Sequence, residues 1–266
     1  MPTDDELQQV AHRLRLHALK MVAPHGFGYL GQVLSAAELF AVVYGEHLRP
    51  GQDKIVISPG HYVIGAYAGA VEKGLITEAE AATYGDNDSA LEAIGTERSP
   101  WIDLTCGSMS QGLSGAAGFA MAARLKGHED ATRVFTMISD GELEEGQIWE
   151  AAIYIAHHRL RNVIVFLDAN DSQVDGPVSM VTTLEPLADK WRSFGWDAYD
   201  IDGHDIPAIR AAFDAALASD APSVIIGRTS MRQGLDCLPE SADTHFIKLP
   251  PELTLAATRE LEARLA

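Results

Sequence analysis

Cysteine is nearly missing from this chain: Cys106 and Cys237 are the two thiols in 266 residues. Two thiols make no disulfide framework, and no Cys/His metal spacing surrounds them. Positive charge is scarce as well. Twenty lysines and arginines stand against 38 aspartates and glutamates, a formal net charge of −18. Nucleic acids and anionic membranes both need a basic footprint, so this balance argues against either as a partner. No apolar run reaches the roughly 18–20 residues of a membrane span. The first residues, Met1 to Gln9, are polar and acidic, unlike a signal peptide. The expectation is a cytoplasmic protein. Hydrophobic residues make up 47% of the chain. That is enough for one substantial core and, with no long linker, one domain over residues 1–266.

The apolar spacing predicts helices alternating with short strands. Leu7 to Met21 has helical periodicity. Ser35, with Glu38 three residues on, reads as an N-cap opening a helix through Tyr44. Lys54 to Ser58, Val134 to Ile138, Val163 to Leu167 and Ser223 to Gly227 read as four buried strands. Helices are expected at Val63 to Lys73, Ala116 to Leu125, Gln147 to His157, Leu184 to Phe194, Ile206 to Leu217 and Pro251 to Ala266. Gly85 to Ser99 is polar and irregular. This alternation predicts an α/β fold with a mainly parallel central sheet.

In such sheets ligands bind beyond the carboxyl ends of the strands. Asp140-Gly141 follows the second strand, and Asp168-Ala169-Asn170 ends the third. A crossover helix between them lets those strands be parallel neighbours, which would bring Asp140 and Asn170 together. One carboxylate and one amide oxygen are a sparse donor set, suited to Mg²⁺ shared with a phosphate. Gly141 lets the backbone approach a phosphate closely. Asp-Gly after a strand is also an ordinary turn, so these pieces alone do not decide the matter.

The surrounding sequence does. Ser139 to Gly176, SDGELEEGQIWEAAIYIAHHRLRNVIVFLDANDSQVDG, resembles the thiamine-diphosphate motif of transketolases, in which Gly-Asp-Gly is followed about thirty residues later by Asn. LSAAELFAVVY from Leu34, SPGHYVIGAYA from Ser58, GSMSQGLSGAAGFAMAA from Gly107 and the stretch Thr229 to His245 resemble further transketolase blocks in the same order. The resemblance spans roughly residues 10 to 250. It implies a three-layer thiamine-diphosphate-binding fold and transfer of a two-carbon ketol unit from a ketose to an acceptor. It also implies residue roles. Asp140, Asn170 and the Ser172 carbonyl would hold Mg²⁺, for which Ca²⁺ or Mn²⁺ could substitute. Gly141 would donate its N–H to the diphosphate. His61 and His245 would contact the diphosphate and face the substrate. The Gly107 carbonyl would accept from the cofactor's 4′-amino group, and Met109 and Val174 would pack on the cofactor. Glu145 would join a proton network across a subunit interface. His157 and His158 would belong to the scaffold, whereas His47, His128 and His204 carry no constellation.

Full-length transketolases have a second domain, which binds the pyrimidine ring and supplies an activating glutamate. This chain stops after the diphosphate-binding domain. The expectation is therefore a separate partner chain carrying the pyrimidine-binding domain, in an α₂β₂ assembly. Two departures concern the substrate. Gly28-Tyr29-Leu30-Gly31 stands where the family has Gly-His-x-Gly, so Tyr29 replaces a substrate-facing histidine, and His25 could substitute only through a rearranged loop. Glu97 to Asp103 lacks the family's His-Pro pair. A changed donor or acceptor, in a specialised biosynthetic pathway, is expected. Two other readings stay open. One is a pyruvate-dehydrogenase-like transfer of an acyl unit to a lipoyl or acyl-carrier-protein thiol. The other is a non-catalytic scaffold subunit.

Overall fold

Alternating apolar residues along the central strands face two different helix layers. In a computed structural model describing all residues, Met1–Ala266, the strands are β1 (Phe27–Gly28), β2 (Lys54–Pro59), β3 (Leu104–Cys106), β4 (Val134–Ser139), β5 (Val163–Ala169), β6 (Asp197–Asp202), β7 (Ser223–Arg228) and β8 (Ile247–Lys248). Six form one parallel sheet in the order β3-β2-β4-β5-β7-β6. β1 and β8 form a separate antiparallel pair. The helices are α1 (Asp4–Val22), α2 (Gly31–Val42), α3 (Val63–Glu72), α4 (Glu78–Ala81), α5 (Gln111–Leu125), α6 (Gly146–His157), α7 (Val178–Val181), α8 (Leu187–Ser193), α9 (Ile206–Ala218) and α10 (Pro251–Ala263).

One sheet face carries Ile55, Ile57, Phe135, Met137, Phe166 and Ile225, packed under α1, α2, α3 and α9. The other carries Val56, Ile138, Val165, Leu167, Val224 and Ile226, packed under α5, α6 and α8. The result is the expected three-layer α/β architecture, because strands buried on both sides need apolar residues at successive positions.

The four expected strands are all present, and two edge strands join them. β3 is three residues long, and β6 (DAYDID) carries three aspartates, a residue type depleted in strands. At an edge one side is solvated, so aspartate is tolerated there. α5 begins at Gln111, five residues before the expected start. Its glycines suggest a loop but are packing devices. A Cβ at Gly112 would lie 2.6 Å from the Ser58 backbone, and one at Gly115 would lie 2.0 Å from Leu104.

Ser35 is not an N-cap. α2 starts at Gly31, and Ser35 points its hydroxyl to Asp168 instead. Glu38 on the same helix is fully buried and takes two bonds from Arg15 of α1, at 2.7 and 2.6 Å. His204 joins this pair, contrary to the expectation that it carries no constellation. Its Nε2 accepts from the Ser230 N–H, so Nδ1 is the nitrogen that donates to Glu38, at 3.1 Å. Burial pushes the Glu38 carboxyl up, but Arg15 and His204 outweigh it and hold it down to about 2. The stability this contributes is complete above the ordinary pKa of 4.5 and is lost as pH falls from there toward 2. Glu38→Gln strands the buried Arg15 and is expected to cost about 3–5 kcal/mol in urea unfolding at pH 7. Its stability should also fall less than that of wild type between pH 5 and pH 3, roughly the window in which Glu38 of the unfolded wild-type chain takes up its proton while the folded carboxylate stays ionised.

Candidate active site

β4 and β5 pair in register, Ser139 opposite Asp168, so the residues that follow emerge side by side. The Asp140 N–H donates to the Asp168 carbonyl at 3.1 Å. The Asp140 carboxylate accepts from the Gly141 N–H at 2.9 Å and from the Asp171 N–H at 2.7 Å, which clamps the two strand ends together. Burial first, and the neighbouring Asp168 charge second, push the Asp140 carboxyl up to about 7. A cation at this point would reverse that shift.

Asn170 is oriented by its neighbours. Its amide donates to Asp168 at 2.7 Å and to the Tyr62 hydroxyl at 2.9 Å, so its oxygen is turned the other way, where it accepts from the Ser172 N–H at 2.9 Å. Asp168 is fully buried and also accepts from the hydroxyls of Ser35, Tyr62 and Thr229. Burial still raises its carboxyl, and those four donors oppose the shift.

A cavity of about 260 Å³ opens beside this clamp, lined by His61, Met109, Gly141, Glu145, Val174 and His245 among others. His61 and His245 lie 5.2 Å apart, ring to ring. Burial, then the charge of His245, lowers His61 to about 3, so its imidazole is neutral at any working pH. Burial lowers His245 too, against the opposing Asp243. Gln32 of α2 donates to the His245 carbonyl at 3.0 Å, and the buried His245 Nδ1 has no partner within the chain. Three larger cavities occur. One, about 380 Å³, is lined by Asp140 and residues 178–187, a second, about 510 Å³, lies between α5 and α6, and a third, about 370 Å³, lies between α1 and the end of α3. None brings histidines together.

Residues 6–259 match the family model for the transketolase thiamine diphosphate binding domain. The chain belongs to the transketolase family. It is 38% identical to a putative uncharacterized transketolase family protein of Sinorhizobium fredii, over 97% of this chain and 95% of that protein. It is 36% identical to the 6-deoxy-6-sulfo-D-fructose transketolase subunit SqwG of a Clostridium species, over 97% of this chain and 96% of that subunit. Among solved structures, the transketolase of Campylobacter jejuni superposes with a TM-score of 0.89 at 25% identity. That match covers 98% of this chain and 43% of the Campylobacter chain, so this sequence spans under half of that transketolase.

This transketolase-family site holds Asp140, Gly141, Asn170 and Ser172 in one turn cluster, with His61 and His245 across the cavity. Met109 and Val174 flank it and are solvent-exposed, and Glu145 is an exposed rim residue. A Cβ at Gly107 would meet no protein atom within 4 Å. Gly107→Ala should therefore leave the melting temperature within about 2 °C of wild type, while a ligand packed on Gly107 would bind at least about ten-fold more weakly. Calorimetry with thiamine diphosphate, beside a thermal melt, checks both.

Tyr29 packs beside the histidine pair, its ring 5.2 Å from His61, 6.3 Å from His245 and 5.0 Å from Phe246. His25 does not join them. Its Nε2 lies 2.5 Å from the Tyr84 carbonyl, and its ring packs against Gly85 and Tyr84. Sequence reasoning missed Asp168, Tyr62, Thr229 and Glu142. A charged residue inside VIVFLDA was the available signal for Asp168, since a fully buried carboxylate needs partners. Glu142, also fully buried, gave none, because GELEE reads as a solvated acidic turn. Burial raises its carboxyl to about 7, against bonds from Ser110, Ser58 and Ser139.

No helix is long and apolar enough to cross a membrane.

Proposed function

We propose that this chain is the diphosphate-binding subunit of a two-chain, Mg²⁺-dependent transketolase-like enzyme that transfers a two-carbon ketol unit from a non-standard ketose. The observation that carries the reading is the clamp of Asp140, Gly141 and Asn170 beside the cavity that the ring pair His61 and His245 lines. The donor set fits a metal-held diphosphate. It offers one carboxylate, one amide oxygen and a backbone carbonyl, and the buried Asp140 has no cation of its own. No cluster of three or more His, Cys, Asp or Glu competes as a metal site. Such a set suits Mg²⁺, which takes its remaining oxygens from phosphate and water.

Bound thiamine diphosphate supplies the carbon nucleophile and the electron sink for breaking and making the bond beside a ketone. This chain's residues bind and orient. Asp140 and the Asn170 oxygen hold the metal, with Asp168 and Tyr62 fixing which face of the amide is presented. The Gly141 N–H, which meets the Asp140 carboxylate in the chain alone, would turn to the diphosphate once that carboxylate binds the metal. His61 and His245 hold substrate hydroxyls and move protons at their ring nitrogens. Glu145, exposed at the rim, is placed to meet a partner subunit. That partner would supply the pyrimidine-binding domain and its activating carboxylate. Two relatives of nearly the same length, one named as a subunit, support a two-chain enzyme. That subunit's named donor carries a sulfonate, which with Tyr29 supports an altered donor here.

The test is reconstitution. The chain co-purified with its partner and given thiamine diphosphate and Mg²⁺ should turn over a ketose donor, and the chain alone should not. Efficient turnover of xylulose 5-phosphate with ribose 5-phosphate would sink the altered-donor half of the proposal. Activity from the isolated chain would sink the two-chain half.

A further inference from the structure

Cofactor sites built from two loops need something to hold those loops in register. Here the two are the diphosphate turn, residues 139–141, and the segment 107–110 that carries Gly107 and Met109. Segment 107–110 leaves β3 and enters α5, and its first three residues are exposed. Its last residue, Ser110, has φ 72°, the left-handed region that serine rarely occupies. A buried acceptor meets that strained residue: the Ser110 N–H donates to the Glu142 carboxylate. The same Glu142 oxygen accepts from the Ser58 hydroxyl at 2.7 Å, and Ser58 in turn accepts from the Gly112 N–H at 3.1 Å. The other Glu142 oxygen accepts from the Ser139 N–H at 3.3 Å. One fully buried side chain thus touches the end of β2, the start of α5 and the end of β4.

The geometry points to Glu142 as a positioning residue that locks segment 107–110 onto the diphosphate turn. It touches neither cofactor nor substrate and acts through the backbone of Ser110. The diphosphate turn has independent support from the Asp140 bonds to Gly141 and Asp171 and from the β4–β5 ladder. Loss of Glu142 should therefore release the ring-contacting segment and spare the diphosphate turn. The inference rests on the proposed cofactor placement only where ring binding is concerned.

The experiment compares two ligands and one structural readout, on the chain in complex with its partner. Glu142→Ala should weaken Mg²⁺–thiamine diphosphate binding at least about ten-fold, the loss of one charge-assisted hydrogen bond, while Mg²⁺–pyrophosphate binds within about two-fold of wild type. Glu142→Gln keeps one accepting oxygen for Ser110 and should restore most of the loss. Amide exchange in residues 107–113 should rise about ten-fold in the alanine variant, with residues 134–139 unchanged. If the alanine variant fails to fold, Glu142→Asp, which withdraws the carboxylate from Ser110, should give the same pattern at smaller size. Equal weakening of both ligands, or exchange rising everywhere, overturns the positioning role in favour of general stability. Unchanged exchange in 107–113 overturns it outright. Wild type binding neither ligand would instead overturn the cofactor reading, and the exchange measurement, which needs no ligand, would still decide Glu142.

Discussion

Asp140→Ala should lower Mg²⁺-dependent affinity for thiamine diphosphate by at least about 100-fold, the largest effect expected of any single change in the cluster. Asp140 is the one carboxylate in the metal set proposed with Asn170 and the Ser172 carbonyl. Its removal also frees the Asp171 N–H, so the clamp between the strand ends loosens. The same substitution should not cost the metal-free protein stability at pH 8. Without a cation, burial and Asp168 oppose ionisation of Asp140, and its carboxyl sits near 7 rather than 3.8. A folded-state pKa raised this way makes the ionised group a liability above pH 7, and the neutral variant lacks that liability. Calorimetry with and without Mg²⁺, beside a thermal melt of the metal-free chain, separates the two effects. A variant that binds the cofactor within a few-fold of wild type would remove Asp140 from the metal set. A variant that binds poorly and also melts far below wild type would make it a structural residue.

The clamp was legible because its elements advertise themselves. VFTMIS and VIVFLDA are apolar strands with polar residues at their carboxyl ends, and a helix of the right length lies between them. Chain order and parallel pairing then force Asp140 toward Asn170. The supports of the clamp were not legible. Ser35, Tyr62 and Thr229 come from three distant segments and meet only at Asp168, and no local pattern relates them. Ser35 even carries a competing signal, since Ser-x-x-Glu imitates a capping box. In the fold that glutamate, Glu38, serves Arg15 and His204, and the helix has begun a turn earlier. The short edge strands were hidden for another reason. Three residues of β3 and the aspartate-rich β6 carry too little apolar pattern to stand out, and pairing with a neighbour decides them.

Tyr29 is where the second large effect is expected, and on specificity rather than affinity for the cofactor. Tyr29→His should raise kcat/KM for xylulose 5-phosphate relative to the enzyme's own donor by about 100-fold, the scale on which a largely apolar pocket discriminates between substrates that differ by one small group. The phenol ring is packed among His61, His245 and Phe246, so it fills volume beside the histidines as well as presenting a hydroxyl. An imidazole in its place is smaller and carries its polar atoms closer to the backbone. It would open space beside the two histidines and move the contact point along the sugar. His25 offers no substitute, because its Nε2 is committed to the Tyr84 carbonyl. Tyr29→Phe divides the two contributions. If the hydroxyl selects the donor, Phe loses kcat/KM for the native donor without gaining xylulose 5-phosphate. If the ring volume selects it, Phe behaves as wild type and only His changes the preference. Equal kcat/KM ratios in all three proteins would mean that donor choice is not set at Tyr29, and the selecting residues would then have to be sought elsewhere, on the proposed partner chain included.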